Sequence, residues 1–408
     1  MADAQDLSAP LVTPVEHAYP VASPFSARLT SDSGELSALW QALEADPATT
    51  FHQRRVWAEA WSQGTGTVLQ LVTLERNGVA FALLPLEISL AGGLKVARFA
   101  GTAYSNENTG LIDTQCQGGL EPVSSSDLAA ALSQAGLAAD IVVFDKMTTE
   151  AAGRPPFSSL PRVLHQNPSF QLPLFEDFNA VLAQINGKRR RKKFRVSERR
   201  LEAMGGYTHI IAKTDTEAIR LLETFFAQKG VRLAAQGLPD VFADPGIRAF
   251  FRQLATTRDS DGNTALELHG IELSGGDHAG EIISVAGLTI KDHHVTCQFG
   301  SINEEIAADV SAGELLFFRM IERASAAGHT VFDFGVGDQP YKRSWCPQRT
   351  ELMDCYCPLN AKGRLAAPLI AGLIRLKRMI KTSPLLHRLA SRLRGGLMVK
   401  AKPAAEVD

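Results

Sequence analysis

The sequence predicts an α/β protein built as two similar halves. Three observations carry this. Segments of helical and strand periodicity alternate along most of the chain. A run of strands, then a helix, a strand and a further helix, occurs twice. The 408 residues are long for one hydrophobic core, so two domains plus tails fit the length. With 45% hydrophobic and 21% charged residues, the composition is that of a soluble globular protein.

Residues 1–30, with Pro10, Pro14, Pro20 and Pro24, read as a flexible leader. Helices follow near 35–45 and 51–62, the second with Trp57 and Trp61 at helical spacing. Residues 68–74 alternate, Asn77-Gly78 is a hairpin signal, and 79–90 continue as the second strand. Strands near 94–99 and 110–113, a helix near 126–137 and a buried strand over 141–144 complete a first half taken as 31–180.

The second half, taken as 181–358, opens with a helix over 187–204 and a strand over 207–211. The next helix starts at Thr214, where Thr214 and Glu217 form a capping box. Asp244-Pro245 is an N-cap with proline at the first helical position. Strands are expected over 265–274, 279–290 and 293–300, then a helix over 312–327 leading to a last strand. Residues 359–408 form a basic tail.

That last strand carries the most informative motif, Phe332-Asp333-Phe334-Gly335-Val336-Gly337-Asp338-Gln339-Pro340-Tyr341-Lys342. Phe332, Asp333 and Phe334 alternate as in a half-buried strand, and Gly335 and Gly337 allow a sharp bend. Asp338, Tyr341 and Lys342 then place an acid, a phenol and an amine where open α/β sheets hold their ligands. The bland alternative is a loop with a salt bridge. The Asp-Phe-Gly triplet is not a kinase signal, because no Gly-rich loop, strand lysine or His-Arg-Asp loop accompanies it.

Other candidates are weaker. Ser311-Ala312-Gly313-Glu314 opens a helix, and Ser311 with Glu314 matches a capping box. The same N-terminus could hold the pyrophosphate of a cofactor. The run Lys188 to Lys193, with Arg191 at its centre and Arg195, Arg199 and Arg200 beyond, reads as a solvated helix face or as an anion-binding one. His293-His294 and His269 lie in strand-like segments without carboxylates at a fixed spacing, so they read as half-exposed strand residues.

The formal charge is −2, yet Lys362 to Lys402 holds eleven Lys or Arg and no acid, leaving −13 for the rest. Within that tail, Leu369, Leu373, Leu376 and Ile380 repeat at amphipathic spacing beside Arg375, Lys377, Arg378 and Lys381, and Leu385, Leu389 and Leu393 follow. Residues 365–394 are therefore expected either to lie on an anionic membrane or to pack on the protein's own body. Cys116, Cys297, Cys346, Cys355 and Cys357 are few, odd in number and without zinc spacing, which suits reduced thiols and no metal. The opening Met1-Ala2-Asp3 is not a signal peptide, no apolar run is long enough to span a bilayer, and a cytoplasmic protein is expected.

The segment from Phe332 to Lys342, with Trp345 beyond it, resembles the signature of bacterial acetyltransferases linked to cellulose biosynthesis, members of the GNAT superfamily related in fold to Fem-type aminoacyltransferases. Residues 51–61, Leu83-Leu84-Pro85-Leu86-Glu87, Phe99 and Gly101, the basic helix near Lys188 and Ser311 to Leu316 also match, so the likeness covers roughly 35–358. The resemblance implies two tandem GNAT-like halves, each a mixed twisted sheet flanked by helices, with the second half catalytic. It implies acetyl-CoA or another acyl-CoA as co-substrate and no metal. It further implies Asp338, Tyr341 and Lys342 as catalytic groups, and Ser311, Gly313 and Leu315 at the cofactor. Asp333, Gly335, Gly337, Trp345 and Arg191 would support the site or the substrate.

The acceptor implied is a small molecule or glycan, with DNA excluded. Two rivals remain: an aminoacyl-tRNA-dependent transferase whose basic helix contacts tRNA, and a non-catalytic GNAT fold that binds at the inner membrane.

Overall fold

The computed structural model describes residues 25–116, 121–307 and 309–382. Two sheets organise it. The first contains β1 (Phe25–Thr30), β2 (Gln70–Arg76), β3 (Val79–Ala91), β4 (Leu94–Phe99), β5 (Leu111–Ile112), β6 (Ile141–Thr148), β7 (Arg162–Leu164) and β15 (Leu352–Pro358). Its order is β1-β2-β3-β4-β6-β15-β7, with β5 beside β3. The second contains β8 (Ser169–Pro173), β9 (Tyr207–Ile211), β10 (Glu267–Leu273), β11 (Ile282–Lys291), β12 (His294–Ile302), β13 (Val331–Val336) and β14 (Gln348–Thr350), in the order β14-β8-β13-β12-β11-β10-β9. Both sheets are mixed: β4 runs parallel to β6, and β12 parallel to β13.

The local signals act as expected in most places. Asn77 and Gly78 take φ of 51° and 73° and turn β2 into β3. The Thr214–Glu217 capping box forms at the head of Asp215–Ala235, and Asp244 accepts hydrogen bonds from the Gly246 and Ile247 N–H groups ahead of Pro245–Thr256. Seven helices matter below: α1 (Arg55–Thr65), α2 (Gly187–Ala203), α3 (Asp215–Ala235), α4 (Pro245–Thr256), α5 (Ala312–Ala326), α6 (Pro340–Trp345) and α7 (Ala361–Thr382).

Three features differ from expectation. The leader ends early, since residues 25–30 form β1 against β2; residues 1–24 lie outside the described residues. The expected division at 180/181 is crossed twice. β8 pairs with β13 and β14 in the second sheet, while β15 inserts between β6 and β7 in the first. Each sheet thus borrows a strand from the other stretch of chain. Ser311 provides no capping bond: it sits at φ 55° as the residue before α5, and Glu314 turns away to ion pairs.

The halves share a core. Trp57 and Trp61 of α1 pack edge-on against Phe250 of α4, with ring centroids 4.9 and 5.3 Å apart. The helices touch backbone to backbone at Gly64, where an added Cβ would lie 2.5 Å from the Phe250 nitrogen. One hydrophobic cluster runs from Trp40 through Trp57 to Phe225 and Phe299. The cleft between the sheets is therefore fixed by packing.

Candidate active site

β12 and β13 pair in only three positions, His294↔Val331, Val295↔Phe332 and Thr296↔Asp333. Beyond them β12 continues to Ile302 and β13 to Val336 without pairing, so the strands part and their facing edges need other partners. Asn106, from the first half, supplies them at the mouth of the gap. Its Oδ1 accepts the Val336 N–H at 3.1 Å, and its Nδ2 donates to Gln298 Oε1 at 3.0 Å. Gly335, at φ 71°, is required for this approach, because a Cβ there would lie 2.1 Å from Asn106 Oδ1. Gln298 is the extra residue where the β11–β12 register slips, and its Nε2 donates to His52 Nε2 at 2.7 Å. His52 must accept there, and burial pushes its pKa down to about 3, so it is a neutral acceptor.

The structure separates the three residues expected to share one cleft. The Asp338 carboxylate turns outward to Arg343 at 2.6 Å. Lys342 turns inward: only 5% exposed, it donates to the carbonyls of Gly335 at 3.1 Å and Val336 at 2.8 Å. Burial lowers it to about 8. It clamps the bend. Tyr341 stacks on Phe317 at 5.5 Å and meets Phe334 at 6.1 Å, remaining 38% exposed. Burial and the neighbouring Cys297 raise its pKa, so the phenol stays protonated. Alternation along β13 sorts the strand's own side chains in the same way. Phe332 and Phe334 face the core with Trp345 and Leu315, whereas Asp333 faces the other half.

On that other face lies a cluster the sequence did not disclose. Asp333, fully buried, accepts from Ser169 Oγ at 3.0 Å, Gln171 Nε2 at 3.0 Å and the Gly335 N–H at 2.6 Å. His294 Nε2 lies 3.4 Å from its Oδ2. Burial alone would raise the Asp333 carboxyl, but His294 and these donors outweigh it and hold it below the usual range. Glu107 completes the group, and Glu107, His294 and Asp333 each bring one ligand atom within 4.8 Å of the others. Burial, then the charge of Asp333, pushes Glu107 up to about 7. Burial opposes a charged His294, yet Asp333 and Glu107 hold its pKa above the ordinary value.

Glu107 and His294 border a cavity of about 680 Å³ between the halves, along with His52, Gln171, Lys291 and Thr296. Glu107 belongs to the run Ser105-Asn106-Glu107-Asn108-Thr109, all buried despite being polar. The loop is pinned by Lys146, which donates to the Thr102 and Ser105 carbonyls. Five consecutive polar residues between glycines Gly101 and Gly110, in an otherwise apolar strand region, were the signal available in the sequence.

At the far end of the gap, α5 begins. Gly313 packs near Ile302, and Ser311 precedes the helix with its side chain making no cap. Leu315 is fully buried and its N–H bonds the Ser311 carbonyl, so it offers a cofactor neither surface nor donor. Glu314 is neutralised by Arg190 and by Lys193 at 3.6 Å, which removes the charge that would repel a phosphate. Arg190 lies over the Trp345 ring at 4.0 Å and donates to Ser344 Oγ, tying α2 to α6. Arg191 instead bonds Asn179 Oδ1 at 2.7 Å, away from the gap.

Residues 188–343, which contain the gap, match the acetyltransferase (GNAT) domain family. Among solved structures the chain is similar to FemX, at 14% identity and a TM-score of 0.55, over 84% of this chain and 100% of that one. It is also similar to a tandem GNAT protein from the clavulanic acid biosynthesis pathway, at 12% identity and a TM-score of 0.46 over 83% and 99%. A third is the C-terminal domain of a putative lysylphosphatidylglycerol synthetase from Agrobacterium fabrum, at 11% identity and 0.45 over 82% and 96%. At 14% identity the likeness to FemX concerns fold alone. No curated protein matches the sequence.

Proposed function

We propose that this chain moves an acyl group, acetyl in the first instance, from acyl-CoA to an amine or hydroxyl of an envelope polysaccharide, lipid or metabolite. The observation that carries the reading is the parting of β12 and β13 after Thr296 and Asp333, within the segment that matches a GNAT domain. An acyl thioester lies in that gap with its phosphates toward the start of α5. The acceptor enters from the cavity between the halves, where polar side chains such as His294 and Thr296 can bind a sugar-sized polar molecule.

The acceptor nitrogen or oxygen attacks the thioester carbonyl carbon, and the C–S bond breaks. Glu107 receives the acceptor's proton; its pKa near 7 suits that task. Tyr341, on the opposite face of β13 and held protonated, gives a proton to the departing thiolate. Lys342 and Asp333 hold the bend between them, from its two sides. Asp338, paired with Arg343 at the surface, takes no part in this reading.

A second reading keeps the fold and changes the donor to an aminoacyl-tRNA. It is favoured by the exposed Lys188, Arg189, Lys192, Arg195 and Arg199 on α2. Calorimetry separates the two. Saturable CoA binding that tolerates salt supports the first, and tRNA binding that weakens steeply with salt in the absence of CoA binding supports the second.

A further inference from the structure

α7 is apolar on two opposite sides. One side seals the first sheet: Ala371 is buried, and Ala367, Ile370 and Ile374 pack with Ile141, Val143, Val163 and Tyr356. The helix is fixed at both ends. At its start Gly363 comes so close to the Asp140 carbonyl that no side chain fits, and Asn360 bonds Asp140 Oδ1 at 2.8 Å. Near its end Arg378 donates to Glu351 Oε2 at 2.8 Å and to the His165 carbonyl at 3.0 Å. The opposite side therefore has no freedom to turn inward.

That side carries Leu365, Leu369, Leu373 and Leu376, exposed by 74, 69, 57 and 46%. Their spacing of four, four and three residues draws one stripe along the helix. Apolar packing on the body is thus provided by other residues, and the stripe is left facing outward. Lys362, Arg364, Arg375 and Lys377 are exposed around it, and Ala361–Thr382 contains no acidic residue. Two such helices facing each other would bring like charges together, which disfavours a second copy as the partner. An anionic lipid surface satisfies both features at once: acyl chains take the leucines and headgroups take the cations.

We propose that α7 docks this protein on an anionic membrane surface, lying in the interface plane with Leu365, Leu369, Leu373 and Leu376 inserted. No described helix is long and apolar enough to cross a membrane. The acidic remainder of the chain, at −13, orients the molecule with this helix toward the lipid.

The test is co-sedimentation of the full chain with vesicles of phosphatidylcholine alone and of phosphatidylcholine with phosphatidylglycerol. Binding is expected only to the anionic vesicles. Leu369→Glu with Leu373→Glu should lower it by at least about tenfold, and Arg364→Glu with Arg375→Glu by about thirtyfold or more. These side chains face solvent, so circular dichroism and melting should match wild type, and the variants remain informative. Wild type that ignores anionic vesicles overturns the proposal. So do leucine variants that still bind as wild type, or a wild-type dimer that ignores vesicles and is dispersed by the same leucine changes.

Discussion

Replacing Glu107 by Gln separates what this buried carboxyl does for catalysis from what it costs the fold. Its pKa moves from 4.5 to about 7, first through burial and then through the charge of Asp333. Between those values the folded chain holds a proton that the unfolded chain has released. The stabilisation from this proton is complete below pH 4.5 and is lost as pH rises through 7. At about pH 8 the ionised group therefore costs on the order of 3 kcal/mol. Glu107→Gln has nearly the same shape and never ionises. It is expected to be more stable than wild type by about that amount at pH 8, with the gain falling below about 1 kcal/mol at pH 5. Acyl transfer should fall about a hundredfold or more, the usual loss for a missing general base. Urea unfolding at the two pH values reads the first effect, and steady-state transfer reads the second. A variant that transfers as fast as wild type, or whose stability gain is equal at both pH values, refutes the assignment.

Other predictions probe the surroundings. Gly335→Ala forces a side chain into positive φ and onto Asn106, and should cost about 2–4 kcal/mol in urea unfolding. Adding Asn106→Gly relieves the clash, so the double variant should lose less than the sum, and strict additivity would contradict the contact. His52, held near 3 by burial, leaves the unfolded chain alone to take up a proton below pH 6.5, so its contribution is complete above 6.5 and falls with pH. His52→Gln should remove about 3 kcal/mol of the stability lost between pH 7.5 and 4.5; an unchanged loss counts against the neutral-acceptor role. Tyr341→Phe should lower kcat about a hundredfold with little change in KM for acyl-CoA, the mark of a group used after binding.

Much of the fold could be read from the chain because its long strands and helices carry strong local signals. Val79–Ala91, Leu94–Phe99 and Tyr207–Ile211 lie close to their expected positions, as do α2 and α5. The strands that were missed, β1, β7, β8, β14 and β15, have three to seven residues each and owe their existence to partners distant in sequence. The borrowing of β8 and β15 between sheets follows from those pairings and has no local trace. The site divides the same way. The bend at Gly335 and Gly337 was visible, since glycine marks such turns. The fates of Asp338, Tyr341 and Lys342 were not, because the bend and the short helix α6 after it send three side chains close in sequence in three directions. His294 was read as a strand residue lacking a carboxylate at fixed spacing. Its carboxylates come from β13 and from a loop in the other half, so no spacing could have revealed them. The Ser311–Glu314 pattern failed because Arg190 and Lys193 offer Glu314 opposite charges that outcompete a capping bond.

Titration of the purified full chain with acetyl-CoA under native mass spectrometry tests the central claim most directly. One acetyl-CoA per chain is predicted, with the acetyl group lost from the complex once an acceptor amine or hydroxyl is supplied, and retained in the Glu107→Gln protein. A chain that takes up no CoA compound at saturating concentration, while binding charged tRNA, would contradict it.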